Sequence, residues 1–231
     1  MQRTISAMVG KGSVNHNSRK FRAENVDGTR THLNIDYCNE NIKTVYHELF
    51  DEALERYNAK QIRSDRKIKD YYEKIRSSKQ EKPFHEIILQ VGGKGNMNAD
   101  TENGELAKQV LDEYYQGFQE RNPQLRVFSA HLHMDEATPH LHIDFVPFTT
   151  GSKRGLDTRV SLKQALATQG FKGGSRGDTE WSQWVQSEKE QLAAVMERYG
   201  IEWEHKGTYE KHLSVLDYKK QEREKEVAVL G

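Results

Sequence analysis

Apolar and polar positions alternate with period two in several short stretches, the pattern of strands with one buried face. Ile5, Ala7 and Val9 share one face of a strand over 2–9, and Leu33, Ile35 and Tyr37 lie opposite His32, Asn34 and Asp36 over 32–37. Over 84–91, Ile87, Leu89 and Val91 fall on one side. In a strand near 126–134, Phe128, Ala130 and Leu132 oppose Ser129, His131 and His133; near 140–147, Leu141, Ile143 and Phe145 oppose His140, His142 and Asp144. The link from Met134 to Pro139 is short and turn-like, so these two strands pair antiparallel.

Helical spacing takes over elsewhere. Residues 44–79 are charged and free of proline, and predict helix. Leu106, Val110, Leu111, Tyr114 and Phe118 mark an amphipathic helix over 104–120, closed by Pro123. Trp181, Trp184, Val185, Leu192, Val195, Met196 and Tyr199 form a core-facing stripe on a helix from Thr179 or Glu180 to Tyr199, and 208–228 reads as a further charged helix. Residues 10–30 form a Gly/Asn/Arg-rich loop. The glycines at 92, 93 and 95 make a turn without the Gly-Lys-Ser/Thr ending of a phosphate-binding loop.

Together these elements predict an α+β fold of two layers. A mainly antiparallel sheet presents one polar, working face, helices pack on the other face, and helices finish the chain. Residues 1–204 are expected to form one domain. Residues 205–231 form a charged helical extension, read as the start of a longer C-terminal region, with dimerisation through its helix as an open expectation.

Charge modifies the picture. Lys+Arg and Asp+Glu both number 35, so the chain is not a uniformly basic nucleic-acid binder. Basic residues nevertheless gather at Lys11, Arg19, Lys20, Arg22 and Arg30, and again in the Gly-rich segment 150–178, a candidate lid over DNA. With mean hydropathy −0.92 and no apolar run long enough to span a bilayer, no membrane segment is expected. The polar N-terminus does not read as a signal peptide, and the single cysteine, Cys38, fits a reducing compartment; a cytoplasmic protein is expected.

The chemistry concentrates where four of the ten histidines fall, His131, His133, His140 and His142. Period two puts all four on the polar face, and antiparallel pairing brings His133, His140 and His142 together. Three neutral imidazoles suit a divalent transition metal and leave coordination positions open for water or substrate, as in catalytic sites. Their lack of charge leaves the metal its full Lewis acidity towards a phosphodiester. Asp135 and Glu136 are placed to orient a histidine; His131 shares the face of His133 and is an alternative member of the ligand trio, Asp144 is a candidate fourth ligand or orienting group, and Asp36 is a further polar group of this face. His131-x-His133-x-Asp135 also matches the start of a metallohydrolase motif, whose next histidine is replaced here by Glu136. A metal-dependent hydrolase is therefore the rival enzyme reading, and a non-cleaving DNA-binding or replication-initiation module the rival of another class.

The run His133-Met134-Asp135-Glu136-Ala137-Thr138-Pro139-His140-Leu141-His142, with Val146-Pro147-Phe148 after it, closely resembles the histidine motif of the MobV (Mob/Pre) plasmid-mobilisation relaxases of the HUH endonuclease group. Asn15-His16-Asn17-Ser18-Arg19 resembles that family's first motif, and Arg30-Thr31-His32-Leu33-Asn34 its second. The resemblance implies nicking and rejoining of one DNA strand at an origin of transfer. His133, His140 and His142 would hold Mn²⁺, or alternatively Mg²⁺, and a covalent 5′-phospho-protein would form on His16. It further implies support from Glu136 and Arg19, and DNA contacts from Asn17, Arg19, Arg30 and Asn34. Its partners would be single-stranded or supercoiled plasmid DNA, including a hairpin, and a type IV coupling protein. Paired tyrosines serve as nucleophiles elsewhere in the HUH group, so Tyr71 and Tyr72 are the alternative.

Overall fold

The computed structural model describes residues 1–206. The chain opens with β1 (Gln2–Arg3) and β2 (Ile5–Val9), then a short helix α1 (Val14–Asn17) inside what the sequence marks as loop. Strand β3 (Ile35–Asn39) begins later than the alternation predicts, because Thr31–Leu33 form a 3-10 turn. The expected helix over 44–79 is two helices, α2 (Ile42–Ala59) and α3 (Tyr71–Arg76). The break has a local cause: the Asn58 side chain bonds both backbone groups of Ile68, closing a loop, and Asp70 caps α3 by accepting from Glu73 N.

Strand β4 (His85–Val91) leads to α4 (Glu102–Gln116), capped by Thr101, and to the short α5 (Phe118–Arg121). The hairpin β5 (Leu125–His133) and β6 (His140–Thr149) follows, then β7 (Arg159–Val160), α6 (Leu162–Thr168), α7 (Glu180–Arg198) and β8 (Glu202–Trp203). A Thr179/Ser182 capping box starts α7 where the sequence places its N-terminus. The expected helix over 208–228, and dimerisation through it, lie outside the described residues.

The main sheet runs β2-β4-β6-β5-β3, with β7 added to the end of β6; its pairings are antiparallel. β1 and β8 form a separate parallel pair. As the alternation predicts, Ile87, Leu89, Ala130, Leu132, Leu141, Ile143 and Phe145 are buried on one face, under α4, α6 and α7. The α+β architecture with a mainly antiparallel sheet is as expected.

The polar face is divided. Its histidine end stays polar, while its far end carries a second apolar cluster in which Val45, Tyr46 and Phe50 of α2 and Tyr71 and Ile75 of α3 meet Phe128 and Val146. Phe128 reaches this side through a bulge. Val127 pairs with Phe145 and Ser129 with Asp144, so Phe128 is the extra residue and turns away from Ala130 and Leu132. Val9 is also displaced from its expected burial: it ends β2 and is 61% exposed.

The Gly-rich segment 150–178 is not a free lid. Leu156 and Val160 belong to the second cluster, Ala165 and Leu166 to the main core, and Ser161 caps α6 between them. Among the described residues no helix is long and apolar enough to cross a membrane.

Candidate active site

Register brings the histidines together. His133 pairs directly with His140 across the hairpin, and His131 with His142. The rings of His133, His140 and His142 have centroids 4.8–5.2 Å apart, and each offers a nitrogen within 4.8 Å of the others. Their outward nitrogens are all occupied. His133 Nε2 donates to Asn17 O (2.8 Å), His140 Nδ1 to Thr138 O (2.8 Å), and His142 Nδ1 to Glu86 Oε2 (3.2 Å). A carbonyl or carboxylate can only accept, so these contacts set the tautomers.

The inward atoms, His133 Nδ1, His140 Nε2 and His142 Nε2, therefore carry lone pairs. His133 Nδ1 and His140 Nε2 face each other at 3.4 Å, and His142 Nε2 is buried without a partner among the described residues. Two facing acceptors beside an orphaned third repel one another unless a cation lies between them. The residues thus fit a divalent metal, with carbonyl and carboxylate groups orienting the ligands from behind. Burial favours the neutral form of His133 and His142, as ligation requires: it pushes His142 down to about 4 against the pull of Glu86. Burial, then the neighbouring histidines and Arg19, hold His133 further below its usual range.

His131 lies on the same face but does not join. Its Nδ1 bonds Asp36 Oδ1 at 2.6 Å and its Nε2 meets Ser129 Oγ at 3.1 Å, so both nitrogens are spent. Asp36 is the partner that keeps it out. In the rival motif His131-x-His133-x-Asp135, His131 is thus bonded to Asp36 and Ser129 and Asp135 to Arg19, although Asp135 also lies with His133 and Glu136 in a second group able to hold a cation.

Asp135 is fully buried and accepts from Arg19 Nε (3.0 Å) and Nη2, from Thr31 Oγ1 (3.0 Å) and from Asn34 Nδ2 (2.8 Å). Burial alone would raise its carboxyl; the Arg19, Asn34 and Thr31 bonds win and hold it below the usual carboxylate range. Arg19 has the one positive φ (57°) of a non-glycine residue among those described. This left-handed turn after α1, costly for a side chain with a Cβ, sends the guanidinium back under the 133–137 turn.

Asn17, Arg19, Arg30 and Asn34, the residues expected to contact DNA, each have partners within the protein. Arg19 gives its donors to Asp135, to Glu136 Oε1 (2.8 Å) and to His16. Asn34 donates to Asp135 and accepts from Met134 N (2.7 Å). Arg30 donates to Met134 O (3.1 Å) and to Ala99 O. Asn17 is 1% exposed and donates to Glu86 and Asp144. These bonds fasten the loop 19–34 to the histidine turn.

His16, on α1, stands at the mouth of the cluster with its ring 6.2 Å from that of His133. Glu136 Oε1 links the two: it lies 3.6 Å from His16 Nε2, 3.7 Å from His140 Nε2 and 3.8 Å from His133 Nδ1. Burial and the Arg19 charge lower the His16 pKa, against an opposing pull from Glu136. Arg19 Nη1 sits 3.3 Å from Nε2, which makes Nε2 the lone-pair nitrogen of a neutral ring.

Tyr71 and Tyr72 are not brought to this cluster. Tyr71 is buried against Tyr46 and Phe50, its hydroxyl accepts from Val160 N at 3.1 Å, and burial raises its pKa. Tyr72 packs edge-on to Tyr46 with the Lys43 ammonium over its ring.

Glu86 is a site residue absent from the sequence expectations. It is 4% exposed beneath His142, and its other oxygen accepts from Gly12 N (3.2 Å). The same alternation that buries Ile87, Leu89 and Val91 puts Glu86 on the histidine face, and that signal was available. Asp144 pairs with it across β4 and β6. Burial next to the Glu86 charge raises Asp144, whereas Glu86 is lowered, against burial, by its bonds to His142, Asp144 and Asn17. Asp144 is therefore a partner of Glu86 rather than a fourth ligand.

The sequence profile of the plasmid recombination enzymes (Mob_Pre) matches residues 13–220. The plasmid recombination enzyme type 2 of Staphylococcus aureus is 26% identical over 235 residues, covering 100% of this chain and 47% of its own length. The plasmid recombination enzyme of Bacillus sp is 25% identical over 227 residues, 95% of this chain and 45% of its own length. The chain thus spans about half the length of the curated relatives it matches. Among solved structures, the Mn-bound MobM relaxase domain (MOBV; Mob_Pre) in complex with 22-nucleotide pMV158 oriT DNA superposes with a TM-score of 0.54. The identity is 21%, over 94% of this chain and 99% of that domain, and the likeness is one of fold.

Proposed function

Because the chain belongs to the plasmid recombination enzyme family, we propose that it is a relaxase that cuts and rejoins one strand of plasmid or mobile-element DNA at an origin of transfer. The observation that carries this reading is the set of three inward lone pairs on His133, His140 and His142 beside a neutral His16. The Mn-bound, DNA-bound state of the similar MobM domain supports it. His133, His140 and His142 would hold a divalent cation, Mn²⁺ before Mg²⁺, which would supply positive charge to polarise the scissile phosphate.

The chain's own residues do the rest. Glu86, Thr138 and the Asn17 carbonyl keep the three rings aimed inward. Glu136 and Arg19 hold the His16 ring at the mouth of the cluster. A neutral imidazole is a competent nucleophile at neutral pH, whereas a buried tyrosine must first lose a proton from a raised pKa. The His16 Nε2 lone pair, released from Arg19, forms the N–P bond as the P–O3′ bond breaks, and the departing 3′-oxygen takes up a proton from water. A 5′-phosphohistidine and a free 3′-hydroxyl result. The reverse attack by that hydroxyl reseals the strand without an external energy source.

The test is cleavage of labelled single strands from just upstream of the protein's own gene, with and without Mn²⁺. The proposal expects a Mn²⁺-dependent nick that disappears in His133→Ala, His140→Ala and His142→Ala. Salt-dependent binding of the same strands without cleavage, in protein that holds Mn²⁺, would replace it with a non-cleaving binding module.

A further inference from the structure

Among the described residues, Met1, Val9, Phe21 and Ile62 are the large apolar side chains left exposed, and Phe21 is the one aromatic of the set, at 63%. A lone exposed apolar side chain is ordinary on a protein surface. Phe21 is set apart by its position. Its amide donates to Asn15 O (3.0 Å), the carbonyl immediately before His16. It follows Arg19 and Lys20, and its neighbours Lys20 and Arg22 are both exposed.

The loop that presents it is fastened on both sides to the histidine turn. Arg19 binds Asp135 and Glu136 before it, while Asn25 Nδ2 binds Glu136 Oε2 (2.7 Å) and Asp27 N binds Asp135 O (2.7 Å) after it. An aromatic ring held out to solvent on a tied loop, between two cations and next to the nucleophile, has the composition of a single-strand binding surface. Bases stack on the ring, and phosphates meet the flanking charges.

We propose that Phe21 is the stacking platform for one nucleobase of the single-stranded substrate next to the scissile phosphate, with Lys20 and Arg22 contacting the phosphates around it. The inference rests on the relaxase reading of the site. Pre-fixing the loop means that little ordering cost opposes the stack.

The experiment measures binding by fluorescence anisotropy in EDTA, so that it does not depend on cleavage. The probes are labelled single strands from upstream of the gene that wild type nicks with Mn²⁺, intact or carrying one abasic position at a time. Phe21→Ala is expected to weaken binding of the intact strand about 10-fold, with Phe21→Trp restoring it and Phe21→Leu failing to. Lys20→Gln and Arg22→Gln are each expected to lower the salt dependence by about one phosphate contact. One abasic position should cost wild type as much as Phe21→Ala does, and cost Phe21→Ala nothing further.

Equal binding by Phe21→Ala and wild type, or losses that simply add at every abasic position, overturns the stacking assignment while leaving the nicking reading intact. Absence of both nicking and strand binding in wild type overturns the relaxase reading and this inference with it. Unchanged near-ultraviolet circular dichroism of Phe21→Leu, together with weak binding, assigns the loss to the ring rather than to the loop's fold.

Discussion

Replacing Asp135 by Asn tests whether the buried Arg19 ion pair organises the site. The carboxylate is fully buried and accepts two bonds from Arg19 and one each from Thr31 and Asn34. Removing one member of a buried, hydrogen-bonded ion pair costs about 3–5 kcal/mol, because the other charge stays behind without water. Arg19 is 8% exposed but keeps Glu136 at 2.8 Å, so the lower figure, about 3 kcal/mol, applies. With a urea dependence of about 2–3 kcal/mol per molar, the unfolding midpoint should fall by about 1–1.5 M. The pH dependence follows with a definite sign. The folded carboxyl lies below its unfolded value, so its contribution is complete above about pH 4 and is lost as pH falls through the folded pKa. Asp135→Asn should accordingly lose part of the wild-type acid limb. A loss below about 1 kcal/mol, or effects of Asp135→Asn and Arg19→Gln that add without coupling, would refute the reasoning.

Two further outcomes follow from the same geometry. Glu86→Gln removes the carboxylate behind His142, and Gly10→Ala would drive a Cβ into the Glu86 side chain; both should weaken Mn²⁺ binding about 10- to 100-fold by calorimetry, and unchanged affinity would contradict the orienting role. Burial holds His142 at about 4, below the unfolded value of about 6.5, so the unfolded chain gains a proton first. Metal-free stability should fall from about pH 6.5, with about 1 kcal/mol of it gone through this residue at pH 5.5; a flat profile from pH 7 to 5 contradicts the burial argument.

The histidine cluster was legible because strand parity is strict: His133, His140 and His142 needed only their spacing and an antiparallel hairpin. Parity also carried Glu86, but a carboxylate one residue from His85 has no distinguishing pattern until β4 is known to lie beside β6. His131 shares the parity of the ligands, and its exclusion depends on Asp36 from β3, a pairing that composition does not encode. For Arg19, Arg30, Asn17 and Asn34 the sequence shows donor chemistry but not these acceptors: the bonds to Asp135, Asp144 and the Met134 carbonyl depend on tertiary placement. The bulge at Phe128 and the break between α2 and α3 are local events set by tertiary partners, so the periodicity of 44–79 ran through a loop closed by Asn58.

The most direct test of the central claim is to identify the residue that carries the DNA. The strand–protein adduct, trapped on a labelled oligonucleotide with Mn²⁺, would be treated with acid and base and mapped by peptide mass spectrometry. The same assay would be run on His16→Ala and on Tyr71→Phe/Tyr72→Phe. The account predicts an acid-labile, base-stable adduct on the peptide containing His16, lost in His16→Ala and retained in the tyrosine variant. An acid-stable adduct on the peptide containing Tyr71 and Tyr72 would contradict it.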